Sequence, residues 1–411
     1  MAKLGDDKEN AAKLKKIDLS RSRRFPNFIE AYLNYAKEQE STEKIHRWTA
    51  ISIIAAALER KVWLKCGFFP MYPNFYIFII GNSGEVRKST STGLGVNLLK
   101  QVPGIHLMSE RVTDRSLIDQ LKRSASTYLI ENKEFKQSAI FCYASELSVF
   151  MQETGNTISA LLTTFWDNPP DWTYELKGDG RLQIEKPCIN FLGASTPTWL
   201  QRSIPVEDME GGLTSRIIFV VELNPPDHYN PWPFKSYKPE MEKDLVLDLK
   251  QIHALSGEFS CTPEADIFYD KWYRAHKAET RSITDIRFKG YHSRKSVTVW
   301  KLAMVLAVAE GNKLVFEKRH FETALEYLSE IERPMLDAFG PVGDNKLAKG
   351  IDKIRSAAKH LGKVPLQVVY NLCWRDYTGN EIRQILQDLE GMRDLRRTQN
   401  GSDVNYEWIG S

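Results

Sequence analysis

The chain has 411 residues, 42% of them hydrophobic and 27% charged, with five cysteines and a formal net charge of +3. That length suits two or three domains around one large core, and the balance is that of a globular protein rather than a disordered or fibrous one. No apolar run approaches the ~18 residues a membrane span requires, and Cys66, Cys142, Cys188, Cys261 and Cys373 lie far apart with no Cys-x-x-Cys spacing, which argues against a zinc site or a disulfide framework.

The first 25 residues, "MAKLGDDKENAAKLKKIDLSRSRRF", carry no apolar signal core, so the expected location is cytoplasmic, with no membrane partner. They read as a basic flexible tail, either simply solvated or able to touch phosphate. Residues 26–68 follow as an N-terminal helical collar: "FIEAYLNYA" has apolar residues at helical spacing, and Ser41 or Thr42 offers an N-cap to the apolar helix of "AISIIAAAL". In residues 69–225, five apolar runs, "FYIFIIG", "IHLMS", "AIFCYAS", "CINFLGAS" and "RIIFVVEL", alternate with helical segments. Continuous rather than alternating hydrophobicity marks strands buried on both faces, so the fold class is α/β with a mostly parallel five-stranded sheet. The proline-rich stretch "LNPPDHYNPWPFKSYKP" breaks that pattern, and residues 226–340 read as a connector and helical lid. Residues 345–411 form three helical segments and then a hairpin around Asn400-Gly401, the order of a winged-helix domain. Its third helix, from Thr378, would be the recognition element, with Arg383, Arg396 and Arg397 placed for phosphate; DNA and protein both remain open as its partner.

Between the first core strand and its helix stands "GNSGEVRKST". A glycine-rich strand-to-helix turn binds phosphate because the first helical turn has unpaired N–H groups at a positive dipole end. Gly81, Ser83, Gly84, Arg87, Lys88, Ser89 and Thr90 would then hold the phosphates of ATP, with Lys88 as the cation and Ser89 as the hydroxyl ligand of Mg²⁺. The regular spacing of such loops would put glycines at Asn82 and Arg87, so the loop departs from the pattern at both. The run "AIFCYASEL" ends in Ser145 and Glu146, where a metal ligand and a general base for an attacking water are expected. Glu146 would serve as that base and Ser145 would contribute to Mg²⁺; a helix-start acid favoured by the dipole is the alternative for Glu146. Ser195, at the end of "CINFLGAS", is placed to sense the terminal phosphate or simply to make a turn. Between them, "DWTYELKGDGRLQIEKP" reads as a β-hairpin turning at Gly-Asp-Gly, with Lys177 and Arg181 near its tip.

The order of these pieces resembles a family of P-loop ATPases from phages, plasmids and related mobile elements, described as replicative DNA helicases or primase-helicases and similar in layout to superfamily 3 ring helicases. Several members carry a Gly-x-Ser-Gly-x-x-Arg-Lys-(Ser/Gly)-Thr loop, which "GNSGEVRKST" matches from end to end; "SELSVF", "LGASTPTWL", "GGLTSRIIFVVE" and "WKLAMVLAVAEG" extend the likeness over about residues 26 to 340. The resemblance implies a P-loop NTPase core in a ring, expected to be a homo-hexamer, that burns ATP with Mg²⁺ to translocate on single-stranded or forked DNA. It also implies a trans arginine, assigned to Arg216, whose alternative is an internal salt bridge. Arg294, or Lys301, would contact the nucleotide from the lid. Lys177 and Arg181 would lie on a pore hairpin tracking DNA phosphates. A primase or replication initiator would be a partner, although no primase carboxylate motif is present. An ATP-gated initiator or loader that binds origin DNA without processive unwinding is the alternative function.

Overall fold

The computed structural model describes residues 23–108, 113–130, 133–151, 155–176, 180–203, 212–227, 229–232, 237–283, 286–339, 346–400 and 403–410. The chain divides into two compact units, Met1–Gly340 and Pro341–Ser411.

In the first unit, α1 (Phe28–Ala36) begins at Asn27, whose side chain accepts hydrogen bonds from the Ile29 and Glu30 N–H groups. An N-cap of this kind is worth about 1 kcal/mol. The next helix, α2 (Glu43–Leu58), is buried along nearly its whole length because alanine and isoleucine occupy all sides of it. A small antiparallel pair, β1 (Val62–Cys66) and β2 (Phe69–Met71), leads into β3 (Tyr76–Gly81). Then come α3 (Lys88–Leu99), β4 (Leu107–Met108), α4 (Asp114–Arg123), β5 (Ala125–Ile130), β6 (Lys133–Ala144), α5 (Leu147–Met151) and α6 (Gly155–Trp166). The hairpin β7 (Asp171–Leu176) and β8 (Gly180–Glu185) precedes β9 (Pro187–Ser195), α7 (Pro197–Ser203), a 3₁₀ turn at Thr214–Arg216 and β10 (Ile217–Glu222). Four long helices finish the unit: α8 (Pro239–Ala254), α9 (Pro263–Thr280), α10 (Ile286–Glu310) and α11 (Lys318–Phe339).

The main sheet has six strands rather than the expected five, in the order β10, β3, β9, β6, β4, with β5 paired to β6. All its pairings are parallel except β5 with β6. The extra strand arises because β6 starts six residues earlier than its apolar run, and its polar first part, "KEFKQ", pairs with β5. Successive residues of β3 feed two separate cores: Ile77 and Ile79 pack with α1, α2, α3, α8 and α10, and Tyr76, Phe78 and Ile80 with α4, α5, α6 and α7. Each such side chain removed from water contributes roughly 1.5–3 kcal/mol.

Two boundaries differ from the sequence reading. The N-terminal helices are not a separate collar, since α2 lies directly on the sheet and shares its core. Nor does the tail reach residue 25. Arg23 donates to Asn312 Oδ1 at 2.7 Å, to the Gly311 carbonyl at 2.9 Å and to the Val308 carbonyl, and Asp248 accepts from the N–H groups of Arg24 and Phe25. Arg23 thereby satisfies carbonyls at the end of α10, where a cation is favoured by the dipole.

The second unit contains α12 (Lys346–Leu361), a short strand Lys363–Pro365, α13 (Leu366–Cys373), α14 (Gly379–Gly391) and a hairpin of Leu395–Asn400 with Asp403–Trp408. Thr378 and Glu381 make a reciprocal capping box at the start of α14. Gly350 lets α12 and α14 cross closely, because a Cβ there would meet Ile385 Cδ1 at 2.3 Å.

Candidate functional site

The connection leaving β3 runs through α3 on one face of the sheet, whereas that leaving its neighbour β9 runs through α7 on the other. Diverging connections open a crevice outside the carboxyl ends of these strands, the usual position of a ligand site in open α/β sheets. The loop of residues 81–87 lines that crevice.

Its backbone is locally built for the turn. Gly84 has φ +77°, and Arg87, the N-cap of α3, has φ +47°. A left-handed arginine is uncommon and costs on the order of 1 kcal/mol. This is a position where phosphate loops ordinarily use glycine, so the backbone keeps the glycine conformation although the residue differs. The Arg87 side chain pairs with Glu40 at 2.9 Å. Gly81 is needed for a different reason: a Cβ there would lie 2.5 Å from the Glu222 carbonyl oxygen and 2.6 Å from Val86 Cγ2. Ser83, Gly84, Ser89 and Thr90 are exposed, while Lys88 is buried. Lys88 Nζ donates to the carbonyls of Gly81 at 2.7 Å and Asn82 at 2.9 Å. Burial holds its ammonium below the ordinary range, partly offset by the charges of Glu146 and Glu85.

Glu146 follows β6 just before α5, level with the end of β9, since Ala144 pairs with Gly193 and Ser195 lies two residues on. Ser195 Oγ donates to Glu146 Oε1 at 3.4 Å. Lys88, Glu146 and Ser195 are therefore brought to one place from three adjacent strands. Ser145 is half-buried beside Glu146.

Several supports escaped the sequence reading. Tyr143, on β6, bonds through its hydroxyl to Thr92 Oγ1 at 3.1 Å and to the Ser89 carbonyl at 3.4 Å, bracing the first turn of α3. Ser41 donates to the Val86 carbonyl at 3.0 Å, Asn82 Nδ2 bonds Glu85 Oε2 at 2.8 Å, and Lys44 pairs with Glu222 at 3.0 Å. All come from distant parts of the chain or from within the loop, and no spacing rule announces them.

Arg216 and Arg294 lie elsewhere. Arg216 immediately precedes β10, whose Ile217 pairs with Tyr76 while Glu222 pairs with Gly81. Arg216 is thus at the amino end of the sheet and Lys88 at the carboxyl end, ~20 Å apart along six residues of strand. Arg294 donates to Ser215 Oγ at 2.9 Å, so it accompanies Arg216. Arg294 and Lys301, expected to contact the nucleotide from the lid, lie on α10 at the opposite end of the strands from Lys88. There the Arg216 and Arg294 guanidiniums stand 5.5 and 5.6 Å from the centre of the Trp166 ring, and Lys301 Nζ stands 3.7 Å from it. Arg216 bonds Asp167 at 2.7 Å and the Gly212 carbonyl at 2.8 Å, while its Nε is buried with no partner among the described residues.

Lys177 lies outside the described residues, and Arg181 is placed only as a position in β8 opposite Glu175. On the same hairpin the rings of Trp172 and Tyr174 stack 5.6 Å apart. In the second unit, Arg383 folds back onto the Gly379 carbonyl and Asn380 Oδ1 of its own helix. Arg396 and Arg397 are neighbours on one strand, opposite Glu407 and Tyr406, so they project from opposite faces of the hairpin.

Among the described residues no cluster of three or more His, Cys, Asp or Glu side chains could cage a metal. The donor set at the crevice, the Ser89 hydroxyl with the Glu146 carboxylate, fits Mg²⁺, which keeps waters and shares substrate phosphates instead of filling an all-protein cage. No helix among the described residues is long and apolar enough to cross a membrane. No protein-family model matches the chain, and no curated protein matches it.

Proposed function

We propose that the chain binds and hydrolyses MgATP at the 81–90 loop and uses the energy, as an oligomeric ring, to translocate on and unwind DNA in the replication of a phage or mobile element. The observation that carries this reading is the meeting of Lys88, Glu146 and Ser195 at the carboxyl ends of three parallel strands, beside the amino end of α3. The layout of the second unit supports reading it as a winged helix.

The residues divide the work as follows. First-turn N–H groups of α3 and the Lys88 ammonium bind the β- and γ-phosphates, Lys88 exchanging the Gly81 and Asn82 carbonyls for phosphate oxygens. Ser89 holds Mg²⁺, which when bound neutralises charge shared by those phosphates. Glu146 accepts a proton from the attacking water as the bond between the γ-phosphorus and the bridging oxygen breaks and ADP leaves with the electron pair. Ser195, bonded to Glu146, fixes the orientation of that carboxylate. Arg216 is assigned to the nucleotide of a neighbouring copy, because its own is at the far end of the sheet; its guanidinium, paired internally with Asp167, would exchange that carboxylate for the phosphate. The β7–β8 hairpin, with Lys177 and Arg181, and the second unit contact DNA.

Measured ATP turnover and fork unwinding by the parent, Lys88→Ala and Glu146→Gln test the reading. Lys88→Ala should lose nucleotide binding, and Glu146→Gln should bind ATP yet turn it over ~10²–10⁴-fold more slowly. Parent-like turnover in both variants overturns the assignment. Protection of one DNA site by the ATP-bound protein without strand separation would favour an initiator or loader.

A further inference from the structure

We infer that Tyr229 and Trp232 form the platform for the nucleobase of the nucleotide held at the 81–90 loop. The inference rests on the proposed triphosphate site and adds to it the part of the ligand that the loop does not explain.

The connector after β10 is tied to the loop at two points. It starts beside the loop, where Glu222 pairs with Gly81 and Asn82 Nδ2 reaches the Leu223 carbonyl at 3.5 Å. It comes back at Asn230, whose N–H donates to Glu40 Oε1 at 2.9 Å and whose side-chain amide donates to the Glu38 carbonyl at 3.0 Å. The second oxygen of the same Glu40 carboxylate holds Arg87 of the loop at 2.9 Å. One carboxylate thus joins the connector to the N-cap of α3. Two hydrogen bonds in series across a carboxylate keep the Asn230 nitrogen within about 8 Å of the Arg87 guanidinium.

On this anchored arch, Tyr229 is 78% exposed and Trp232 is 56% exposed. The Asn230 side chain also accepts from the Trp232 N–H at 3.0 Å, so the turn that carries both aromatics is locally fixed. Pro225 and Pro226 precede it, and Pro226 is buried. Two large exposed rings on a turn bonded to the loop through Glu40 offer what a base requires, a flat apolar face. Stacking of a base on an aromatic side chain is sequence-tolerant and typically lost on truncation to alanine at a cost of roughly five- to a hundred-fold in affinity.

Titration calorimetry with two probes tests this on the full chain: MgATP, which has a base, and magnesium tripolyphosphate, which has none. Tyr229→Ala should weaken MgATP about tenfold and leave tripolyphosphate unchanged, and Tyr229→Phe should restore the parent affinity. Trp232→Ala should act in the same direction. Equal MgATP affinity in the parent and both alanine variants, with tripolyphosphate still bound, overturns the platform alone. A parent that binds neither probe overturns the phosphate loop and the platform with it. Because both side chains are exposed, their truncation removes no core packing.

Discussion

Lys301 gives the sharpest quantitative test of the interior. It is 2% exposed, lies over the Trp166 ring, and donates to Asn74 Oδ1 at 2.7 Å. Burial pulls its ammonium down from 10.5 to about 7; Cys188 and Asp167 oppose the shift, and the nearby cations Arg216 and Arg294 add to it. An unfolded chain keeps this proton up to the ordinary lysine value, whereas the folded chain releases it near neutrality. Between those limits the unfolded state binds more protons, so stability rises with pH by up to ~1.4 kcal/mol per unit. The penalty is fully present below neutrality and is relieved as pH climbs through the folded value. Lys301→Met removes the titration while Asn74 Oδ1 keeps its other donor, Asn168 Nδ2 at 2.7 Å. Urea unfolding at pH 7 and pH 9 should show the parent gaining about 2 kcal/mol relative to Lys301→Met across that interval. Superimposable pH profiles for the two proteins would refute the claim that this lysine is buried beside two arginines.

Two glycines about half a turn apart on α3, and so on opposite sides of it, should respond in opposite ways. A Cβ on Gly95 would meet Thr49 Cγ2 at 2.5 Å, whereas one on Gly93 meets nothing closer than Tyr143 Oη at 3.8 Å. Gly95→Ala should therefore cost about 1–3 kcal/mol by overpacking against α2, and Gly93→Ala should gain up to ~1 kcal/mol from helix propensity; chemical denaturation reads both. Arg87→Gly should leave stability within about 1 kcal/mol of the parent, since relief of the left-handed strain offsets loss of the exposed Glu40 pair. Arg87→Val should lose at least ~1 kcal/mol, because a branched side chain suits that backbone poorly. Tyr143→Phe, which keeps the ring and deletes the hydroxyl that braces α3, should raise KM for ATP a few-fold in steady-state assays with kcat little changed.

Apolar runs made the parallel strands legible, because a strand covered on both faces has no polar side to interrupt it. Strand order was not legible: nothing in "CINFLGAS" says that β9 inserts between β3 and β6, and that insertion is what brings Ser195 to Glu146. The edge strand β5 was missed because "ASTYLI" is half-exposed and lacks a continuous apolar run. In the loop, the departure at Arg87 from the usual glycine was legible, whereas its left-handed backbone and its pairing with Glu40 were not. Arg294 illustrates the limit of reasoning by chain order. It was expected to contact the nucleotide from the lid, yet α10 packs on α2, α11 and the 3₁₀ turn before β10 and delivers the guanidinium to Ser215 at the far end.

The separation of Lys88 from Arg216 by the full length of β3 has a consequence for the kinetics. No solitary molecule can present both side chains to the same phosphate, so any turnover needing the two is a property of paired chains. Specific activity would then climb with protein concentration and vanish on dilution below the dissociation constant of the assembly. An equimolar mixture of Lys88→Ala and Arg216→Ala chains would regain some of the rate, since each junction between an intact lysine and an intact arginine is a working one.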